Sequence, residues 1–163
     1  MNSIKVEGLT RESFAPFGEV ISHAGMPESE GDFTWYGEMG IMRNDVTQLN
    51  LCAMKLRSSD LHELERHTHT KEALVVLEGT GVVLVVAPDG PLDESALRAF
   101  YIKRGEGIIF GKGTYHSTPY PVEEPATMLI VFQKDTGDTD LVLHPVSEGT
   151  MIDMNSISFG GKV

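Results

Sequence analysis

The chain has 163 residues, of which 40% are hydrophobic, and this size and composition predict one compact domain. Acidic residues outnumber basic ones by 24 to 13, so no basic stripe is available to neutralise phosphates and nucleic acid is not an expected partner. The single cysteine excludes a disulfide within the chain. With neither a signal-peptide pattern nor an apolar run of ~20 residues, the sequence predicts a cytoplasmic protein that does not enter the membrane.

The predicted elements, taken in chain order, are mostly short strands. A first helix is expected to open at Thr10 of the stretch 10–18, where the hydroxyl caps it, and a second within 92–100. Elsewhere, apolar runs are separated by turn residues, Gly79 among them, a pattern typical of an all-β sandwich or barrel. The ten predicted strands are 18–22, 48–56, 63–67, 72–78, 80–87, 99–103, 107–110, 115–118, 127–133 and 140–144.

The chain contains no internal repeat, linker or low-complexity segment, and one domain over residues 1–163 is therefore expected. The core barrel is predicted over about 48–146, preceded by an N-terminal segment, 1–47. Residues 24–33 are expected to form a solvated acidic loop. The C-terminal tail, 147–163, is expected to be disordered or to pack on a neighbour.

The stretch 65-ERHTHTKEALVVLEG-79 contains two histidines and a glutamate at the spacing of metal ligands. Because alternate side chains of a strand share a face, Glu65, His67 and His69 are predicted to point to one side. Glu72 begins the next strand after a short turn, so two antiparallel strands are expected to bring these groups to one wall. Imidazole and carboxylate ligands suit Zn, Ni, Mn or Fe(II), and three protein ligands leave positions open for substrate.

A second stretch, 105-GEGIIFGKGTYH-116, ends in a histidine after spaced glycines. In a barrel, His116 would return beside the first three ligands as a fourth. Together the two stretches resemble the two motifs of the cupin superfamily, a His-x-His-then-Glu run ending in glycine and a later Gly, Pro-x-Gly and histidine. Gly111 stands where the proline is usual. The resemblance implies a cupin double-stranded β-helix, a jelly-roll-like β-barrel, with one or two short helices.

The residues around these motifs are similar to those of the ureidoglycolate lyase family. The similarity rests on 9-LTRESFAPFGEVI-21, 82-VVLVVAPDG-90, 97-LRAF-100 and 113-GTYH-116, and it covers most of residues 9–132. Members of this family are homodimeric cupins that cleave ureidoglycolate, an intermediate of purine breakdown derived from allantoin, to glyoxylate and urea. The resemblance therefore implies a C–N lyase.

Several residues depart from the family pattern: His69 need not be histidine in the family, tryptophan is usual at Tyr115, and a second histidine often stands at Ser117. Glutamine is usual where this chain has Glu72, and an aspartate-arginine pair is usual where it has Gln133 and Lys134. The residues at Glu72 and His69 favour metal binding, while the departures together leave the substrate open. One alternative is another metal-dependent cupin enzyme, an isomerase, lyase or dioxygenase acting on a small hydroxy or keto acid. The other is a non-catalytic cupin that binds a small ligand.

The implied lyase reaction assigns roles to the polar residues of the two motifs. A divalent ion, one of Ni, Zn, Mn or Fe, is expected to be held by His67, His69, Glu72 and His116, where it would polarise the substrate hydroxyl. The candidate catalytic residues are Glu65, Glu72 and His116. Glu65 is expected to shuttle the proton, because it shares a strand face with the histidines.

The substrate carboxylate requires a cation, and the expected partner of the site is a small-molecule carboxylate. Arg43 and Lys103 are both candidates for this role, whereas strand alternation points Arg66 away from the site. Tyr115 precedes the histidine of the second motif and is expected at the rim of the pocket, with its hydroxyl as an optional donor.

Four apolar runs suggest that the protein associates with itself. The runs 74–77, 82–86, 108–110 and 128–132 are apolar on both strand faces. Such strands need two covered faces, which a monomeric barrel does not provide. A homodimer with a sheet-mediated contact is therefore expected.

Overall fold

The computed structural model describes residues 2–25, 27–28, 31–32 and 34–158. These residues form mostly strands, with two four-residue helices, α1 (Arg11–Phe14) and α2 (Thr136–Thr139). The strands are β1 (Asn2–Gly8), β2 (Gly18–Ile21), β3 (Thr47–Met54), β4 (Glu63–Arg66), β5 (Glu72–Glu78), β6 (Gly81–Ala87), β7 (Arg98–Lys103), β8 (Gly107–Phe110), β9 (Tyr115–His116), β10 (Tyr120–Pro121), β11 (Ala126–Gln133), β12 (Val142–Pro145) and β13 (Thr150–Asp153).

The strands form two sheets that pack face to face. The larger sheet has the order β12-β4-β9-β6-β7-β1-β13, with β10 also paired to β6, and the smaller has the order β2-β8-β5-β11-β3. Side chains from both sheets, including Leu84, Phe100, Phe110 and Met128, meet in one buried cluster. The predicted all-β double-sheet barrel is confirmed.

Strand β6 lies at the centre of the larger sheet and is buried along its whole length. Its alternate residues face two different cores. Val82 and Val86 belong to the cluster between the sheets, whereas Val83 and Val85 belong to a second cluster on the outer face of the larger sheet. The apolar run 82–86 therefore has both faces covered within one chain, and it gives no reason to invoke a partner.

The terminal segments supply much of the second cluster. Strand β1 pairs in parallel with β7 on one side and with β13 on the other, and Ile152 of β13 is buried there. Residues 150–153 of the predicted tail thus complete the sheet of their own chain, because their apolar side chains cover its outer face. Residues 159–163 of that tail lie outside the described residues.

Several predicted elements differ in type or extent. The first helix is confirmed, and the hydroxyl of Thr10 accepts a hydrogen bond from the backbone N–H of Ser13 in a capping box. The second is only a 3-10 turn, Glu94–Ala96, because the apolar residues that follow it pair as β7. The expected acidic loop 24–33 falls partly on residues 26, 29, 30 and 33, which lie outside the described residues.

The fold brings the two sequence motifs together where the two sheets adjoin. Glu65 of β4 pairs directly with His116 of β9 in the larger sheet. Glu72 begins β5 in the smaller sheet and pairs with Phe110 of β8. Residues 67–71 cross from one sheet to the other, so the polar residues of both motifs line one end of the space between the sheets.

Among the described helices, none has the length or apolar character needed to cross a bilayer.

Candidate active site

His116 occupies the centre of a buried polar cluster. Its ring stacks on Phe110 at 4.1 Å between centroids and 9° between planes, and the ring of His67 lies 5.3 Å away. Burial lowers the pKa of His116 to about 4, although the charge of Glu72 acts in the opposite direction. The imidazole is therefore neutral at neutral pH. Its Nε2 atom is buried and has no hydrogen-bond partner among the described residues.

His67 is held at both of its ring nitrogens. Nδ1 donates to the backbone carbonyl of Asp140 at 2.7 Å, and Nε2 lies 2.7 Å from Oε2 of Glu72. Burial by itself would lower the pKa of His67, but the hydrogen bonds to Glu72 and Asp140 and the charges of Glu72 and Glu65 raise that pKa to about 9. The ring is therefore protonated at neutral pH when no cation competes for it.

Two carboxylates lie on opposite sides of the His116 ring. Oε1 of Glu65 is 3.6 Å from Nδ1, and Oε2 of Glu72 is 3.9 Å from Nε2. The pKa of Glu65 is raised, first by burial and then by the negative charge of Glu72. A raised pKa in a group that faces a cavity is typical of residues that exchange protons during catalysis.

These residues fit a divalent cation. The ligand atoms of Glu65, His67 and His116 lie within 4.8 Å of one another, and Glu72 lies within 4 Å of Nε2 on both rings. Imidazole and carboxylate donors suit Zn, Ni, Mn and Fe(II). A buried imidazole nitrogen without a partner, such as Nε2 of His116, is the kind of atom that a metal ion would satisfy.

A cavity of about 300 Å³ opens onto this cluster. Glu65, Glu72 and His116 form its polar wall, and Lys55 and Arg57 bring positive charge to the same space. The remaining lining residues are Cys52, Met54, Leu74, Ser117, Thr118, Pro119 and Ile130. The cavity therefore combines two carboxylates, an imidazole and two cations around a volume suited to a small molecule.

Arg57 is fixed in place at the cavity. Its Nη2 donates to the hydroxyl of Thr118 at 2.7 Å and to the carbonyl oxygens of Thr118 and Pro119 at 2.9 and 3.1 Å. The guanidinium lies 3.7 Å from the ring centroid of Tyr120. Within the described parts of the chain, no carboxylate lies within 4.0 Å of it. Sequence reasoning did not single out Arg57, which follows the predicted strand 48–56 without any local motif.

His69 lies outside the cluster, contrary to the convergence predicted from strand alternation. Strand β4 ends at Arg66, so alternation does not extend to residue 69. The His69 side chain is 82% exposed, and Nδ1 lies 3.0 Å from Oδ1 of Asp140. Burial would raise the pKa of Asp140, but hydrogen bonds from His69, Thr68 and Thr70 lower it. Asp140 was not identified from the sequence, since no local pattern links it to residues about 70 positions earlier.

The three predicted substrate-binding residues lie away from the cavity. Arg43 is exposed on a loop, and Lys103 lines a different surface cavity of about 570 Å³. Tyr115 is buried on the opposite face of β9 from His116, where its hydroxyl donates to the carbonyl of Gly90 at 2.8 Å. Adjacent strand residues point to opposite faces, so Tyr115 packs in the outer core instead of at the pocket rim.

Comparison with known proteins supports the relationship suggested by the motifs. A family model described as Ureidoglycolate lyase matches residues 1–153. A ureidoglycolate lyase of Burkholderia mallei is 31% identical over 142 residues, which cover 80% of this chain and 82% of the relative. One from Pseudomonas aeruginosa is 30% identical over 167 residues, covering 90% and 99%.

A comparison of structures finds a mutant of Bacillus subtilis oxalate decarboxylase at a TM-score of 0.42 and 14% identity, covering 61% of this chain and 24% of that chain. The sequence matches are much more extensive. Because the family model and the relatives extend over nearly the whole sequence, from the first strand to β13, this chain belongs to the ureidoglycolate lyase family of enzymes.

Proposed function

We propose that this enzyme cleaves ureidoglycolate to glyoxylate and urea. The observation that carries the proposal is the cavity that joins the buried Glu65, Glu72 and His116 cluster to the cations Lys55 and Arg57. Ureidoglycolate presents a carboxylate, a hydroxyl and a ureido group around one carbon. A site for it needs a cation for the carboxylate and a proton carrier near the hydroxyl, and the cavity contains both.

The reaction moves one proton and breaks one bond. The 2-hydroxyl loses its proton, its C–O bond becomes the aldehyde carbonyl of glyoxylate, and the C–N bond breaks. The departing ureido nitrogen takes up a proton and leaves as urea. Since the proton lost by oxygen equals the proton gained by nitrogen, a single carboxyl group that first accepts and then donates is sufficient.

Glu65 is the residue suited to carry this proton. It lines the cavity, and burial together with the charge of Glu72 raises its pKa, so it is a better base than an exposed carboxylate. Glu72 has a different environment, because His67 donates a hydrogen bond to it at 2.7 Å. That bond holds the Glu72 carboxylate in a fixed position in the cavity wall.

Arg57 is the residue suited to bind the substrate carboxylate. Nη2 is already committed to Thr118 and Pro119, and this holds the guanidinium plane at the cavity before substrate arrives. A preorganised guanidinium loses little freedom when it binds a carboxylate. Lys55 adds a second positive charge to the same cavity. These two residues replace Arg43 and Lys103 as candidates for carboxylate recognition.

The ligand atoms of Glu65, His67 and His116 lie within 4.8 Å of one another, but we propose Glu72 instead of Glu65 as the carboxylate that would hold a divalent cation with the two histidines. Glu72 approaches Nε2 of both rings, whereas Glu65 approaches His116 from the Nδ1 side and remains available to exchange protons. The cation would act as a Lewis acid on the substrate hydroxyl.

Metal affinity is expected to rise with pH. A cation can bind His67 only after the ring loses a proton, and the pKa of that ring is raised to about 9. Between pH 7 and pH 8 the apparent affinity should therefore increase about tenfold and level off above about 9. His116, with a pKa lowered to about 4, adds no pH dependence in this range. Calorimetric titration with Zn²⁺ at several pH values tests this, and an affinity that is constant from pH 7 to 9 would contradict it.

We infer that the protein is a homodimer that associates through the outer face of the smaller sheet. Leu49 and Leu51 of the edge strand β3 are 67% and 70% exposed, and their neighbours on the same face are Leu129 and Val131 of β11. This face carries no charge at these positions, although the chain has a net charge of −11. A second copy can therefore cover it without bringing like charges together.

Light scattering at micromolar concentration is expected to give twice the chain mass of 17.9 kDa. Leu51→Glu should shift the protein to monomers, because two copies of a new charge would be buried in one contact. Ile41→Glu, on a loop residue that is also exposed, should leave the mass unchanged. A native protein with the mass of one chain would contradict the dimer.

The direct test of the proposed reaction is release of glyoxylate and urea in equal amounts from ureidoglycolate. The purified protein, stripped of metal, is supplied separately with Ni, Mn, Zn or Fe(II). Turnover with at least one ion is expected. Release at the uncatalysed rate with all four would reject the lyase and leave two alternatives, another cupin enzyme or a binding protein, which a panel of small hydroxy and keto acids separates by turnover or by binding alone.

A further inference from the structure

Asp140 directly follows helix α2, far in sequence from both motifs, and its carboxylate is buried. Six hydrogen bonds reach this carboxylate from three consecutive residues, Thr68, His69 and Thr70. Each of the three donates its backbone N–H, at 2.9 to 3.0 Å. The two threonine hydroxyls donate at 3.1 and 3.0 Å, and Nδ1 of His69 lies at 3.0 Å. The segment 68–70 is therefore wrapped around one side chain.

The backbone of Asp140 acts on the neighbouring residue as well. Its carbonyl oxygen accepts the hydrogen bond from Nδ1 of His67 at 2.7 Å. A carbonyl oxygen can only accept, so this contact places a proton on Nδ1 and directs Nε2 to the other side. Nε2 then meets Glu72 at 2.7 Å. One residue thus sets both the course of the segment after β4 and the orientation of the His67 ring.

The same contacts explain the position of His69. Continuing β4 beyond Arg66 would place residue 69 on the face of Glu65 and His67. The bonds from residues 68–70 to Asp140 end the strand instead, and the His69 ring is held at the surface against Oδ1 of Asp140. The buried cluster therefore contains two imidazoles instead of three.

We propose that Asp140 is a positioning residue of this site. It holds the His67 ring with Nε2 toward Glu72 and keeps His69 out of the cluster, so that the cation and substrate meet two imidazoles and two carboxylates. The inference rests on the proposed function only for its catalytic readout. Its other consequences, the metal affinity and the proton on Nδ1 of His67, do not depend on which substrate the enzyme uses.

The test is Asp140→Asn, with Asp138→Asn as the matched control. The amide keeps the shape of the side chain but replaces one oxygen with NH₂, and three of the six bonds lose their acceptor whichever way it turns. Asp138 is exposed in helix α2, which Asp140 follows, and its replacement changes the charge equally without touching residues 67–70.

Asp140→Asn is expected to weaken Zn²⁺ binding about tenfold or more, the range typical when a residue that orients a metal ligand is changed. In ¹⁵N-edited NMR spectra of the metal-free protein, the Nδ1 proton of His67 should shift or be lost. With ureidoglycolate, kcat should fall about tenfold while KM changes less than about threefold. Asp138→Asn should match the native protein in all three measurements.

The outcomes separate positioning from a purely structural role. If Asp140→Asn lowers only the thermal midpoint, while Zn²⁺ affinity and the His67 ring proton stay native, the inference is overturned. If that variant does not fold, the double variant Thr68→Ala with Thr70→Ala removes two donors and leaves Asp140 in place. A loss of Zn²⁺ affinity of about threefold is then expected, and native affinity would overturn the inference. If Asp140→Asn changes the Zn²⁺ affinity and the Nδ1 proton of His67, but the native enzyme shows no lyase activity, the proposed function is rejected and the inference about Asp140 stands.

Discussion

Replacing Glu65 with glutamine is expected to lower kcat for glyoxylate release by about 100- to 10,000-fold, the range lost when a general acid–base group is removed. Glutamine has nearly the same shape but neither accepts nor returns the proton that moves from the hydroxyl to the ureido nitrogen. KM should change little, because Arg57 still binds the carboxylate. Steady-state kinetics at saturating ureidoglycolate measure the effect.

Glu63→Gln is the control for this prediction. Glu63 lies on the same strand, β4, and is exposed, so the substitution removes the same charge without reaching the cavity wall that includes Glu65. It should retain kcat within about twofold, as expected for a surface change. If Glu65→Gln also retains kcat within about fivefold, another group carries the proton and the assignment of Glu65 is wrong.

Arg57→Met is expected to lower kcat/KM by about 10- to 100-fold, mainly through a higher KM. Hydrogen bonds to charged groups contribute about 1.5–3 kcal/mol, and about 1.4 kcal/mol corresponds to a factor of ten. Methionine keeps the apolar stem that packs near Tyr120 and removes the charge. The measurement is the kinetics of ureidoglycolate cleavage by the native enzyme and by the variant.

Arg104, a cation that lies outside this cavity, supplies the control for the Arg57 prediction. It is exposed and lines the separate cavity that also contains Lys103, so Arg104→Met should leave KM unchanged. Arg57→Lys should lie between the native enzyme and Arg57→Met, since it keeps the charge but loses the planar fork of donors. Equal KM values in all four proteins would show that Arg57 does not bind the carboxylate.

The agreement between sequence and structure is closest where local pattern determines the element. Strands β5 and β8 begin and end where the apolar runs and flanking turns predict, because a strand of this kind is stabilised by burying its own side chains. The helix capped by Thr10 was also predictable, because the cap and the N–H group that it accepts from are only three residues apart. His67, Glu72 and His116 were identified because their spacing is a family motif, and the structure brings all three into one cluster.

The disagreements about His69 and about the cations of the cavity involve partners distant in sequence. Alternation predicted that His69 would join His67, but bonds to Asp140 end the strand first. The sequence does not show where the cavity opens, so it indicates Arg43 and Lys103 as candidate cations and gives no signal for Arg57, which Thr118 and Pro119 hold at the cavity. None of these contacts leaves a periodic signal, because each joins a single residue to another 60 or more positions away.

The sequence by itself determined the class of fold, the family and the four members of the polar cluster, because strand patterning and motif spacing are local properties of the chain. Only the tertiary structure decided which charges share the cavity and that His69 is excluded from the polar cluster. The physical reason is that a buried polar group must find a hydrogen-bond partner wherever the fold offers one. For residues 68–70 that partner was Asp140, and satisfying these backbone donors fixed the geometry of the site.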